Sequence, residues 1–106
     1  WPGFSDHPGH AVAKKQMKDF GGMISFTLKN NSLEEAFRMA SSVNVFSLAE
    51  SLGGVESLIS HPASMTHASV PKEERDRLGI SDALLRLSVG IEDAGDLVED
   101  LRQAIG

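Results

Sequence analysis

Arg86 interrupts an apolar run, Leu84-Leu85-Arg86-Leu87-Ser88-Val89, whose alternation sets Arg86 and Ser88 on one side of a strand and Leu85, Leu87 and Val89 on the other. A guanidinium fork matches a carboxylate through two parallel N–H···O bonds, and a strand holds that fork more rigidly than a loop does. An arginine on the solvated face of an amphipathic strand writes the same pattern. Glu50-Ser51-Leu52-Gly53-Gly54 is the second candidate: paired glycines let the backbone approach a ligand closely, and Ser51 offers a hydroxyl beside them. A plain connecting turn has that composition too. His61 and His67 lie six positions apart, but no Cys and no HExxH arrangement completes a zinc site, so they read as surface or hydrogen-bonded structural histidines. Asp93 and Asp96 read as a capped helix start, not as a catalytic pair. There is no phosphate-cradling glycine loop and no nucleophile elbow.

The elements that must position these residues follow from periodicity. Trp1 to His10 is dense in turn formers and reads as loop, followed by a short helix from about His10 to Lys18 with Val12, Ala13 and Met17 inward. Ile24, Phe26 and Leu28 repeat at period two, which predicts a strand with one buried face. Ser32-Leu33-Glu34-Glu35 is a capping box, and behind it Leu33, Ala36, Phe37 and Ala40 form one helical stripe. Val45–Ala49 and Ser57–Ser60 predict short strands around the Glu50–Gly54 turn, and Pro71 opens a short helix. Asp93 and Asp96 start a last helix with Leu97, Leu101, Ala104 and Ile105 on its apolar face. Strands without regular helical crossovers predict an α+β fold: a small, mainly antiparallel sheet with helices packed on it.

Composition narrows the function classes. The chain has 106 residues, enough for one domain with its own core, and 41% hydrophobic and 24% charged residues exclude a disordered chain. A net charge of −5 argues against broad nucleic-acid binding, which needs a cationic surface. The absence of Cys removes disulfides, thiolate metal sites and thiol nucleophiles, and suits a cytoplasmic location. No apolar run approaches the roughly 20 residues that span a bilayer, so no membrane role is expected. The opening at Trp1, without Met, is expected of a fragment, a processed chain or an excised domain.

Several of these segments occur together in a known order. Ser47-Leu48-Ala49-Glu50-Ser51-Leu52-Gly53-Gly54-Val55-Glu56-Ser57-Leu58 is followed by His61-Pro62-Ala63-Ser64-Met65-Thr66-His67-Ala68, Gly79-Ile80-Ser81 and Leu85-Arg86-Leu87-Ser88-Val89-Gly90-Ile91-Glu92-Asp93. With Pro2-Gly3-Phe4, His7-Pro8 and Gly21-Gly22-Met23-Ile24-Ser25-Phe26, the series resembles the C-terminal domain of the pyridoxal-phosphate-dependent enzymes of cysteine and methionine metabolism. Within that family it is most similar to the cystathionine γ-synthases and γ-lyases, and the similarity covers nearly the whole chain.

The resemblance implies that residues 1–106 are the small C-terminal domain of a fold-type I enzyme, acting in γ-replacement or γ-elimination on cystathionine or an activated homoserine. It implies that Arg86 binds the substrate's α-carboxylate, that Ser51 lines the same pocket with Thr66 nearby, and that Glu50 helps choose among amino-acid substrates. The lysine that holds pyridoxal 5'-phosphate covalently belongs, in the family, to a larger preceding domain. None of Lys14, Lys15, Lys18, Lys29 or Lys72 lies in a segment like that lysine's, so no catalytic residue is expected in this chain and the chain alone is expected to be inactive. The family forms homotetramers built from dimers. Synthase and lyase are not separated, and methionine γ-lyases and sulfhydrylases share much of the pattern. The competing expectation is a free-standing, non-catalytic amino-acid-binding or regulatory domain.

Overall fold

A computed structural model describes every residue from Trp1 to Gly106 and has the expected α+β order: α1 (His10–Gln16), β1 (Met23–Thr27), α2 (Leu33–Ser42), β2 (Ser47–Leu48), β3 (Leu58–Ser60), α3 (Lys72–Arg77), β4 (Leu84–Ser88) and α4 (Ala94–Ile105). The sheet runs β1-β4-β3-β2, so the last strand in sequence takes a central place. β4 is antiparallel to both neighbours, pairing Met23 through Thr27 with Ser88 through Leu84 on one side and Leu58 through Ser60 with Ser88 through Arg86 on the other.

The exception is β2, which lies parallel to β3. Parallel neighbours require the connection to return along the length of the strands, and that return is normally a helix. Here residues 49–57 make it without one. The turn carrying Glu50 and Ser51 is therefore drawn back along the sheet, a consequence of topology that composition does not reveal.

The core is the face opposite Arg86. Ile59, Leu85 and Leu87 pack beneath Ala36, Met39 and Ala40 of α2 and Leu97 and Ala104 of α4, with Phe46 beside them and Ile24 and Phe26 partly buried at the β1 side. Alanine at three helical contact points brings α2 and α4 close, and two polar ties lock them. The Arg38 guanidinium donates to the carbonyls of Ala104 and Ile105, both at 3.1 Å, satisfying acceptors left free at the end of α4. Asp100, 4% exposed, accepts from the backbone N–H groups of Asn44, Val45 and Phe46 at 2.7, 2.8 and 2.9 Å.

Several local expectations are corrected. α1 stops at Gln16, and only Ala13 is buried on it; Val12 and Met17 are exposed. The inner stripe of α2 is Ala36, Met39 and Ala40, so the stripe is turned away from Leu33 and Phe37, both about 40% exposed; Phe37 instead lies against the His61 ring, 4.7 Å between centroids. Half of the capping box forms: Ser32 Oγ accepts from the Glu35 N–H at 3.4 Å, while the Glu35 carboxylate pairs with Arg38. The strand expected over Val45–Ala49 is only Ser47–Leu48, because Asp100 claims the preceding amides. Ile105 is exposed at the end of α4.

Candidate functional site

β4 delivers Arg86 to the sheet face opposite the core. Leu85 and Leu87 are sealed at 0% and 3% exposure, which fixes the strand's rotation and leaves Arg86 one direction to point. Its register partners are Ser25 on β1 and Ser60 on β3, so a small hydroxyl flanks it on either side. The protein has five arginines, and four of them are in ion pairs: Arg38 with Glu35, Arg75 with Asp82, Arg77 with Glu74 and Arg102 with Glu99. Arg86 has none, and its Nη2 is buried without a hydrogen-bond partner. The neighbouring Ser60 hydroxyl is likewise buried and unpartnered. An unsatisfied buried donor costs about 1–3 kcal/mol, and more when charged. The arrangement can accept an anion with two oxygens in one plane.

The return loop of residues 49–57 reaches this same face. The Gly53 N–H donates to Ser88 Oγ at 2.7 Å, and Ser88 is two residues from Arg86 on the same side of β4. Further along, the loop is latched to the segment after β4. The Ser57 N–H and hydroxyl donate to Glu92 at 2.9 and 2.8 Å, the Gly90 N–H donates to Ser57 Oγ at 2.8 Å, and the Ile91 N–H to the Val55 carbonyl at 2.9 Å. The backbone and side-chain donors of Ser57 hold the Glu92 carboxyl below its ordinary pKa. Gly90 is required by closeness, since a Cβ there would collide with the Val55 carbonyl.

Of the residues read from sequence, the fold thus ties the loop of Glu50 and Ser51 to the Arg86 strand, and both side chains are exposed. Thr66 is exposed, and its hydroxyl meets His67 Nδ1 at 2.8 Å, a local contact that does not join it to Arg86. His61 is structural: buried at 2% exposure, it donates from Nε2 to the Asp82 carbonyl at 2.5 Å and meets the Ser64 hydroxyl through Nδ1 at 2.7 Å. Asp93 caps α4, accepting from the Asp96 N–H at 3.0 Å. Sequence reading missed Ser57, Ser88, Glu92 and Asp100. Alternation had set Ser88 on the face of Arg86 without giving it a role, and Ser57 and Glu92 had only their place in the quoted motifs. The surface concavities lie elsewhere, one lined by Asn44, Val45 and α4 residues, the other by Phe26–Asn30 with Glu35 and Ile105.

The fold is thus a small α+β domain that presents an unpaired arginine from a central strand, with a hydroxyl-bearing loop tied to that strand at Ser88. The matching family is narrower: the model for the Cys/Met metabolism PLP-dependent enzymes matches residues 1–106, and the chain belongs to that family. It is 55% identical to cystathionine γ-lyase of Dictyostelium discoideum over 105 residues and 57% identical to cystathionine β-lyase of Coxiella burnetii over 105. In each case the match takes in 99% of this chain and 27% of the relative. Among solved structures, cystathionine γ-synthase from Xanthomonas oryzae pv. oryzae in complex with cystathionine superposes with a TM-score of 0.92 at 54% identity, over 99% of this chain and 27% of that one. The chain spans about a quarter of the length of the relatives it matches. Similar identities to γ-lyase, β-lyase and γ-synthase mean that this stretch does not by itself distinguish their reactions.

Pyridoxal phosphate is the family's cofactor, and the residues of this chain do not fit it on their own. All five lysines are exposed, and Lys72 is occupied by Asp76 and Asp82. None has the desolvated setting that makes a lysine nucleophilic.

Proposed function

We propose that residues 1–106 are the C-terminal, substrate-binding domain of a pyridoxal-phosphate-dependent enzyme of transsulfuration, and that Arg86 receives the α-carboxylate of cystathionine or an activated homoserine. The unpaired, partly buried guanidinium carries this reading, because it is the one arginine left without a carboxylate of the protein's own. A substrate carboxylate would supply the missing acceptors in bidentate form and fix the α-carbon beside chemistry performed by the cofactor on a preceding domain. Ser51 lines that pocket in this reading, and Glu50 meets the distal ammonium of cystathionine. Thr66 stands as a more remote contributor. The same reading assigns the chain to a cytoplasmic homotetramer, γ-eliminating or γ-replacing.

The test is Arg86→Ala in the enzyme that includes the cofactor domain. Loss of a desolvated bidentate contact should lower kcat/KM by roughly two to three decades, about 3–4 kcal/mol. An unchanged kcat/KM would remove Arg86 from the site. Calorimetric binding of cystathionine or cysteine by the 106-residue chain alone would favour a free-standing amino-acid sensor instead.

A further inference from the structure

We infer that Ser88 is a positioning residue, which holds the Glu50–Gly54 loop over Arg86 through a single hydrogen bond to the Gly53 amide; this rests on the reading of Arg86 and Ser51 as substrate-binding. The loop leaves the sheet after the Ala49 N–H donates to the Ile59 carbonyl at 3.0 Å. It returns to fixed structure at Val55, whose carbonyl accepts from Ile91. Between those points the Gly53–Ser88 bond, at 2.7 Å, is the tie to the sheet. Gly53 has φ +78, a left-handed conformation that favours glycine, and its amide meets the strand at Ser88. Ser88 is 4% exposed and short, so its hydroxyl can meet the loop only where backbone comes down to the sheet. Arg86 lies two residues away on the same face of β4. One strand thus presents the ligand-binding group and, two residues on, the peg for the loop that faces it.

Ser88 touches no substrate, so removing it should act through Ser51. Residues 50–54 are all exposed, and the Gly53 amide can be rehydrated when the peg is lost. The expected signature is a floppy loop on an intact domain.

The experiment is a double-mutant cycle in the enzyme that includes the cofactor domain, reading KM and kcat separately. Ser88→Ala should raise KM for cystathionine about tenfold, the scale of one net hydrogen bond, with a smaller change in kcat. Ser88→Thr, which keeps the hydroxyl, should restore most of it. In a Ser51→Ala background Ser88→Ala should add little, because its effect passes through Ser51. Arg86→Ala run alongside separates the two ideas. If Arg86→Ala leaves KM and kcat unchanged, the site reading fails; if it is damaging while Ser88→Ala is silent, or additive with Ser51→Ala, the positioning role fails. Should Ser88→Ala not fold, amide hydrogen exchange in the unaltered protein decides: protection at Gly53 above Leu52 and Gly54 is expected, and equal exchange at the three overturns the proposal.

Discussion

Asp100→Ala should be the most damaging single change outside the hydrophobic core. The carboxylate joins the middle of α4 to the turn between α2 and β2 by accepting from three consecutive backbone amides, with Gln103 Nε2 adding a fourth donor at 3.0 Å. Hydrogen bonds to a charged group are each about 1.5–3 kcal/mol, but Asn44 and Val45 are exposed and their amides would regain water. Phe46, 3% exposed, would keep a buried orphan donor, so the net loss comes to about 3–4 kcal/mol. For a domain this size that is a fall in Tm of roughly 15–25 °C. Urea unfolding followed by circular dichroism measures it. The same carboxylate links stability to acid. Burial acts to raise its pKa, but the amides of Asn44, Phe46 and Val45 and the Gln103 side chain outweigh burial and hold it below the ordinary value. The folded state therefore binds this proton more weakly than the unfolded one. Its contribution is complete above about pH 4 and declines as pH falls through the lower folded pKa. Asp100→Asn should flatten that acid limb. A loss under about 1 kcal/mol for Asp100→Ala, or parallel acid limbs for Asp100→Asn and the parent, would refute the reasoning.

Gly90→Ala should push the loop off the sheet, since a Cβ would sit 2.7 Å from the Glu56 carbonyl carbon as well as against Val55, and backbone cannot swing aside. A loss of about 2–3 kcal/mol in unfolding free energy, together with a raised KM in the enzyme, is expected; full retention of both would mean the segments separate freely. Arg86→Met should leave urea stability unchanged or raise it by about 1 kcal/mol while substrate affinity falls, because an unsatisfied buried donor is replaced by an apolar chain of similar length. A destabilisation above about 1 kcal/mol would show the guanidinium to be structural.

What could be read in advance was what obeys a local period. β1 and β4 alternate apolar and polar residues, so their positions, to within one residue at the C-terminal ends, and the placing of Arg86 opposite Leu85 and Leu87 follow from residue type. α4 was legible from its cap and from Leu97, Leu101 and Ala104. α2 was legible as a helix but not in rotation: Met39, not Phe37, takes the inner position. Asp100 was hidden for a related reason, because a charged residue in a helix reads as solvated until a turn 54 residues away in sequence supplies its donors. The Ser57–Glu92 and Gly53–Ser88 ties span 35 residues each and have no period at all. The parallel placement of β2 is of the same kind, set by the whole sheet and not by Ser47 or Leu48.

The unpaired state of Arg86 is the point at which stability and function part. A sequence under pressure only to fold would pair that guanidinium, as it pairs the other four, or exchange it for an apolar residue. Position 60, the register partner of Arg86 on β3, carries serine, whose buried hydroxyl is itself unsatisfied. Two adjacent orphan groups, the Arg86 guanidinium and the Ser60 hydroxyl, leave hydrogen-bonding capacity that no group of the domain meets. The loop tied to this strand is held by small residues and backbone contacts, Gly53, Ser57, Ser88 and Gly90. Glu92, the acidic group in that network, is engaged by Ser57. No carboxylate of the domain pairs with Arg86, and that, beside its buried and unsatisfied Nη2, is what supports the proposed assignment of the face to an amino acid's acid group.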